Sequence, residues 1–170
     1  YNLYDYAFGA NFPDYPKFGV WPDAYYFSAN TFNAAGAFIG AQACAFDRTR
    51  MLAGQTAAVV CYQGTSSWHS LLPSDLDSVA LPPSGSPNFF LQYDTNSLSL
   101  FKFHADFVTP ANSSFTGPTS IPGVAAFTAP CPDIPDCIPQ PATTQLLDAI
   151  GDRILHRTGH SLGEDLHGNG

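Results

Sequence analysis

Residues 12–32 read FPDYPKFGVWPDAYYFSANTF, and this aromatic-rich stretch decides the fold. The pattern predicts a short strand over residues 17–21, a turn at 22–23 and a second strand over 24–30. Successive strand residues point to opposite faces of a sheet, so the second strand carries aromatic side chains on both faces. One face holds Tyr25, Phe27 and Ala29, and the other holds Tyr26 and Ser28. The sequence therefore predicts a strand covered on both sides, as in stacked or radially arranged sheets.

The composition favours strands over helices. Of the 170 residues, only Glu164 is a glutamate, and only Lys17 and Lys102 are lysines. These two residue types normally coat exposed helices. The 14 Phe, 8 Tyr, 14 Gly and 15 Pro residues suit short strands joined by tight turns. We predict a mostly β fold built from antiparallel sheets, with a length that suits one domain with its own core.

The charge excludes two classes of partner. The formal net charge is −8 and the isoelectric point is about 4.6. A nucleic-acid groove needs clustered Lys and Arg, whereas the 6 basic residues here are scattered along the chain. No apolar run approaches the roughly 20 residues of a transmembrane helix. We therefore expect neither nucleic acid nor a membrane as a partner.

The four cysteines fall into two sequence-local pairs, Cys44 with Cys61 and Cys131 with Cys137. Three connectivities are possible, and we favour the local one. Free thiols are the first alternative. A metal site is the second, although neither pair has the CxxC spacing and no histidine lies beside them. Paired disulfides predict a secreted, extracellular protein.

The remaining segments are interpreted from their periodicity and turn residues. Asp47 is expected to cap one helical turn that ends at Gly54, and Gly40 to mark a close approach of two backbone segments. Predicted strands cover residues 1–11, as an edge strand, and 37–46, 56–62, 88–93 and 97–107. Residues 64–87 are expected to form a long loop. Residues 145–155 fit either a strand or a short helix.

A resemblance covers residues 1–155. The segments DYPKFGVWPDAYYFSANTF, CAFDRTRMLAG, LLPSDLD, PPSGSPNFF, LSLFKFHADF and QLLDAIGDRIL resemble a family of secreted, β-propeller-like proteins from environmental bacteria, whose biochemistry is unassigned. The resemblance implies four-stranded blades, and it supplies neither a cofactor nor catalytic residues. Family members are longer than this chain, so about two to four blades are expected here. A closed ring would then require several chains, which makes a homo-oligomer the expected assembly.

The last stretch, residues 156–170, reads HRTGHSLGEDLHGNG and is expected to be a separate C-terminal tail or a fusion junction. It resembles the H-x-x-G-H-x-x-G-x-x-x-H motif of the creatinase–prolidase–aminopeptidase P metallopeptidases. The resemblance makes His160 a metal ligand, with His156 and His167 binding substrate and moving charge. The two-metal centre of that family also needs bridging carboxylates, and their spacing is missing here. A mononuclear Mn or Zn site would have to recruit Asp148, Asp152 or Asp165.

The same segment contains the pentapeptide GHSLG, residues 159–163, which has the G-x-S-x-G pattern of lipases and esterases. The pattern makes Ser161 a candidate nucleophile when it lies on a sharp strand-to-helix turn of an α/β sheet. Asp165 and His167 follow too closely to fold back as a triad. A polar serine in the tail is the simpler interpretation.

Three further groups are candidates for binding. Asp75 and Asp77 would either bind Ca²⁺ or cap turns, and Asp14 and Asp23, each beside a proline, suit Asx-turns. Lys102, His104 and Asp106 share one strand face, as a small polar site or as a solvated, salt-bridged surface. Trp21, Tyr25 and Tyr26 would stack on sugar rings where they are exposed, or else belong to the core.

These observations predict a secreted, β-rich binding or structural module that recognises a glycan or a peptide. A hydrolase that uses the tail, either a metallopeptidase or an esterase, is the first alternative. A carbohydrate-binding or carbohydrate-active propeller is the second, and glycoside hydrolysis would need two facing aspartates because the chain has one glutamate. No cofactor is expected, other than the divalent Ca, Mn or Zn of the sites described above.

Overall fold

The computed structural model of the protein describes residues 1–94, 96–126, 128–134, 136–151, 153–155 and 158–160, with only the backbone of His160 described. The helices are α1 (Arg48–Leu52) and a 3₁₀ turn (Pro110–Asn112). The strands are β1 (Phe12–Val20), β2 (Ala24–Phe32), β3 (Phe38–Asp47), β4 (Val59–Gln63), β5 (Leu72–Leu76), β6 (Asn88–Asp94), β7 (Ser97–His104), β8 (Ser114–Pro122), β9 (Asp136–Pro139), β10 (Leu146–Asp148) and β11 (Thr158–His160).

Two sheets contain most of these strands. Sheet 1 has the order β1-β2-β3-β4, and its neighbouring strands are all antiparallel. Sheet 2 has the order β11-β5-β6-β7-β8, in which β11 is parallel to β5 and the other pairs are antiparallel. A separate antiparallel pair joins β9 and β10. The mostly β class with antiparallel sheets is confirmed, and the described residues form no closed barrel or ring of blades.

The main core lies between the two sheets. Sheet 1 presents small side chains and one large ring, and sheet 2 presents large rings that fill the space left by the small ones. The ring of Tyr26 meets that of Phe103 edge to face, with 5.3 Å between centroids. The buried members are Trp21, Ala24, Tyr26, Ala41, Ala43, Ala45, Leu71, Phe90, Phe101, Phe103 and Ala105.

Close contacts join the two sheets along both sides. On one side, a Cβ on Gly19 of β1 would overlap the carbonyl oxygen of Ser74 in β5. Beside it, the Val20 N–H donates to Oδ1 of Asp75 at 2.8 Å. On the other side, Tyr62 of β4 stacks on Phe115 of β8, with 5.9 Å between ring centroids. The two sheets therefore run alongside each other, β1 beside β5 and β4 beside β8.

The outer face of sheet 1 has its own apolar cluster, formed by Phe27, Ala29, Cys44 and Phe46. Residues 1–11 pack Tyr6 and Phe8 against it. The predicted edge strand over residues 1–11 is wrong, because this segment makes no ladder hydrogen bonds. Its aromatic–polar alternation arises from an extended chain whose rings lie on the sheet.

The key segment behaves as predicted, with both strands longer than expected. Tyr26 lies in the main core and Phe27 in the outer cluster, so the assignment of aromatic residues to both faces is confirmed. The helical turn is also confirmed. Oδ1 of Asp47 accepts a hydrogen bond from the N–H of Arg50 at 3.1 Å, and Gly54 has a φ of +68°.

Two predicted segments need correction. Strand β5 lies inside the predicted loop over residues 64–87; it pairs with β6 only through Leu72 and Pro73, which explains its weak strand pattern. Strand β7 ends at His104 rather than at 107, because Asp106 already organises the following turn. The ambiguous segment 145–155 contributes the short strand β10, and its described residues form no helix.

Both predicted disulfides are present, Cys44–Cys61 between β3 and β4 and Cys131–Cys137 before β9. Disulfides persist in oxidising compartments, so the protein belongs to such an environment. Of the described helices, none has the length and apolar character required to cross a bilayer. The division into residues 1–155 and a tail stays a prediction, although residues 158–160 of that tail pair with β5 as β11.

Candidate functional site

Most of the tail motif lies outside the described residues. This holds for His156, Ser161 and His167, and the side chain of His160 is not described either. The metallopeptidase and esterase hypotheses therefore stay predictions. Among the described residues, no group of three or more His, Cys, Asp or Glu side chains is arranged to hold a metal ion.

The candidate calcium ligands lie at the junction of β5 with its neighbours. Oδ1 of Asp75 accepts the Val20 N–H, so this carboxylate ties β1 to β5. Asp77 follows β5 and packs against Gly159 of β11, where a Cβ would overlap its Oδ2. Asp75 thus has a visible role in joining β1 to β5, and calcium binding by Asp75 and Asp77 stays a prediction.

One member of the polar group predicted on β7, Asp106, has a defined structural role. Asp106 lies beyond the strand and accepts the N–H groups of Val108 and Thr109 at 2.9 and 2.8 Å. These bonds, led by the one from Thr109 and joined by one from the side-chain amide of Asn112, lower the pKa of Asp106. Lys102 is exposed. Asp106 is therefore a turn residue, and the solvated-surface interpretation fits it.

Asp23 is more unusual than the predicted Asx-turn residue. Its Oδ2 accepts a hydrogen bond from the Tyr26 hydroxyl at 3.1 Å, whereas its buried Oδ1 has no partner among the described residues. Burial raises the pKa of Asp23, and hydrogen bonds from backbone N–H groups and from the Tyr26 hydroxyl, followed by the nearby His104, partly offset this. Burial and the Asp23 charge likewise raise the pKa of Tyr26. Burial therefore disfavours the charged form of the Asp23 carboxyl group.

The sugar-stacking candidates are divided between the core and the surface. Trp21 is 2% exposed and Tyr26 is 0% exposed, so neither ring is available to a ligand. The Trp21 indole N–H donates to the Ser86 carbonyl at 3.2 Å. Tyr25 is half-buried on the outer face of sheet 1 and lines a concave surface there.

That surface is an aromatic groove of about 190 Å³. Its floor comes from the outer face of sheet 1, one wall comes from the N-terminal segment and the other from α1. Phe18, opposite Phe27 in the β1–β2 register, is 61% exposed at its edge. The lining residues are Tyr4, Tyr6, Phe18, Tyr25, Phe46 and Met51.

The N-terminal wall of the groove is fixed by its phenol groups. The Tyr4 hydroxyl lies 3.1 Å from the Met51 carbonyl and 2.9 Å from the Gln55 carbonyl, both hydrogen-bond acceptors. The final carbonyls of a helix have no partner within it, so Tyr4 satisfies groups at the end of α1. The Tyr6 ring packs on Phe46 with 4.6 Å between centroids. The groove is therefore formed before any ligand arrives.

One cation lies at the rim of the groove. Cζ of Arg48 is 5.8 Å from the centroid of the Tyr25 ring, within cation–π range. Arg50 pairs with Asp47 at 3.5 Å. Arg48 makes no such ion pair among the described residues, and its buried Nε has no hydrogen-bond partner there. A positive group beside an apolar groove is notable in a chain of net charge −8.

Comparisons with protein-family models, curated proteins and solved structures found no match for this chain. The fold and the groove thus define the class on their own: a disulfide-bonded, two-sheet β protein with a preformed aromatic groove. The sequence interpretation missed this groove. The available signal was the row of aromatic residues in 1–11, which was assigned to a strand.

Proposed function

We propose that the protein is a secreted, extracellular binding module whose aromatic groove holds an apolar side chain of a polypeptide partner. The observation that carries the proposal is the groove itself, rigidly walled, lined by five aromatic rings and Met51, and open at Phe18. The two disulfides of the protein support an extracellular location.

The size of the groove favours a side chain over a whole small molecule. Pockets for small ligands usually enclose about 300–1,000 Å³, and this groove encloses about 190 Å³. Protein interfaces often depend on one or two apolar anchors that insert into a pocket of the partner. A single Phe, Leu or Met side chain is therefore the occupant that fits best.

The chemistry of the lining favours a peptide over a glycan. Sugars need hydrogen-bonding groups around the aromatic platform, but the hydroxyls of Tyr4 and Tyr6 already donate to backbone carbonyls of this chain. A cation beside the groove is Arg48, whose guanidinium suits a carboxylate. We infer that the partner carries an acidic residue next to its apolar anchor.

The arrangement of the sheets supports a propeller-like architecture for this module. Sheet 1 and strands β5–β8 of sheet 2 are each four-stranded meanders. Strand β1 lies beside β5, and β4 lies beside β8, as the strands of two successive blades do. We propose that the two sheets are blade-like units of this kind.

Binding of short peptides tests the function. The probes are three capped pentapeptides with the central sequences Asp-Phe, Lys-Phe and Asp-Ala, titrated while amide resonances are followed by NMR. We expect the Asp-Phe peptide to bind best, with shifts confined to the groove. The substitution Phe18→Ser should weaken it about tenfold, the effect of losing about 1.4 kcal/mol.

A matched control is available on the same strand. Phe12 is 64% exposed and lies outside the groove, so Phe12→Ser should leave binding unchanged. Arg48→Gln should abolish the preference for Asp-Phe over Lys-Phe. Equal effects of the two Phe substitutions would overturn the proposal. Binding of a cello-oligosaccharide that depends on Phe18, with no peptide binding, would assign the groove to glycans instead.

A further inference from the structure

Strand β4 is an edge strand of sheet 1. It pairs with β3 on one side, and no described residue pairs with it on the other. An edge of this kind is a template for a further strand, because its outward N–H and C=O groups have no ladder partner.

The register identifies which groups point outward. The Asp47 N–H donates to the Ala58 carbonyl at 3.0 Å, and the Gly64 N–H donates to the Ala41 carbonyl at 2.8 Å. The direction of backbone hydrogen bonding alternates along an antiparallel strand. Val60 and Tyr62, two and four residues after Ala58, therefore direct their backbone groups toward β3. Val59, Cys61 and Gln63 therefore direct theirs away from the sheet. The short Cα–Cα distance of 4.1 Å between Cys44 and Cys61 agrees, since non-hydrogen-bonded pairs lie closest.

The edges formed by β1 and β8 are blocked, and β4 is not. Strand β1 contains Pro13 and Pro16 and a break in its register between Asp14 and Lys17. Strand β8 contains Pro118 and Pro122 and pairs irregularly with β7. Prolines and bulges are the usual protection of an edge against further pairing. Strand β4 reads VVCYQ and has neither.

The charge distribution identifies the occupant. Two copies of a chain with net charge −8 repel each other over most of their surfaces. The segment from Gln55 to Ser74 contains no Asp, Glu, Lys or Arg, and β4 lies within it. This uncharged edge is thus a place where two copies can approach without repulsion between like charges.

We propose that the protein forms a homodimer in which β4 pairs antiparallel with β4 of a second copy. Cys61 lies on the two-fold axis, and Val59 faces the partner's Gln63. This register satisfies every outward N–H and C=O of the three residues and keeps the side chains on their own faces of the sheet. The two copies of sheet 1 then form one continuous sheet.

The test measures mass and amide exchange together. Light scattering after size exclusion, from micromolar to millimolar protein, should show a rise from 18.2 kDa toward twice that mass. Over the same range, hydrogen exchange should slow at the amides of Val59, Cys61 and Gln63. The amides of Val60 and Tyr62, already bonded to β3, should not change. This second readout needs no variant.

A pair of substitutions at one site completes the test. Val59→Pro removes an outward N–H and should keep the chain monomeric, whereas the control Val59→Thr retains the N–H and should dimerise. A monomer at every concentration would overturn the proposal, and so would a dimer that survives Val59→Pro. Slow exchange at Val59 and Cys61 that does not depend on concentration would show that the chain covers this edge itself, which also overturns it.

Discussion

Breaking the Cys44–Cys61 disulfide should destabilise the protein more than breaking the other, by about 1 kcal/mol. The bond links two residues 17 apart in sequence, directly opposite each other on β3 and β4. For a loop of this length, the loss of chain entropy in the unfolded state corresponds to about 3 kcal/mol. For a domain of this size, each kcal/mol shifts the melting temperature by about 2–4 °C. The expected drop is therefore about 6–12 °C.

The assay isolates one bond at a time. In a variant with Cys131→Ala and Cys137→Ala, circular dichroism melts with and without a phosphine reductant measure the Cys44–Cys61 bond alone. A variant with Cys44→Ala and Cys61→Ala measures the other bond, which closes a loop of separation 6. That loop corresponds to about 2 kcal/mol, and its cysteines lie outside both apolar clusters. A larger drop for Cys131–Cys137, or one below about 3 °C for Cys44–Cys61, would refute this reasoning.

Two further predictions concern the junction of the sheets and the buried carboxyl. The substitution Gly19→Ala places a methyl group against the Ser74 carbonyl and should cost about 1–3 kcal/mol in urea unfolding; an unchanged midpoint would contradict the close packing of β1 on β5. Burial raises the pKa of Asp23 in the folded state, so its protonation favours folding, and this contribution is lost as the pH rises through the folded-state pKa. The variant Asp23→Asn should therefore gain stability relative to wild type as the pH rises above about 4, the ordinary pKa of an aspartate, and a constant difference would count against the raised pKa.

The sequence predicted those features that local rules determine. The strands on either side of Pro22 follow from alternation of side chains and from turn chemistry, and the helical turn follows from the cap at Asp47. The local cysteine pairing follows from spacing within short segments. Each of these depends on residues that are close in the chain.

The groove depends on contacts that no local pattern reports. The Tyr4 hydroxyl bonds carbonyls of Met51 and Gln55, 47 and 51 residues away. In residues 1–11 the same alternation suits a strand and an extended segment lying on a sheet. An extended segment differs from a strand only in lacking a neighbouring strand to which its backbone is hydrogen-bonded. Whether such a neighbour is present depends on the whole fold.

The position of β11 gives one tail residue a role that requires no catalysis. Gly159 belongs both to the H-x-x-G-H motif and to the G-x-S-x-G pattern, so both resemblances depend on it. In the structure it pairs with Asp75 of β5, and any Cβ there would overlap the carboxylate of Asp77. A larger residue at this position would have to displace the Asp77 carboxylate, so this contact gives Gly159 a packing role. An esterase nucleophile also follows a strand of a parallel α/β sheet, whereas β11 lies at the edge of sheet 2 and has one neighbour, β5, among the described strands. Ser161 itself lies outside the described residues, so the esterase hypothesis stays a prediction.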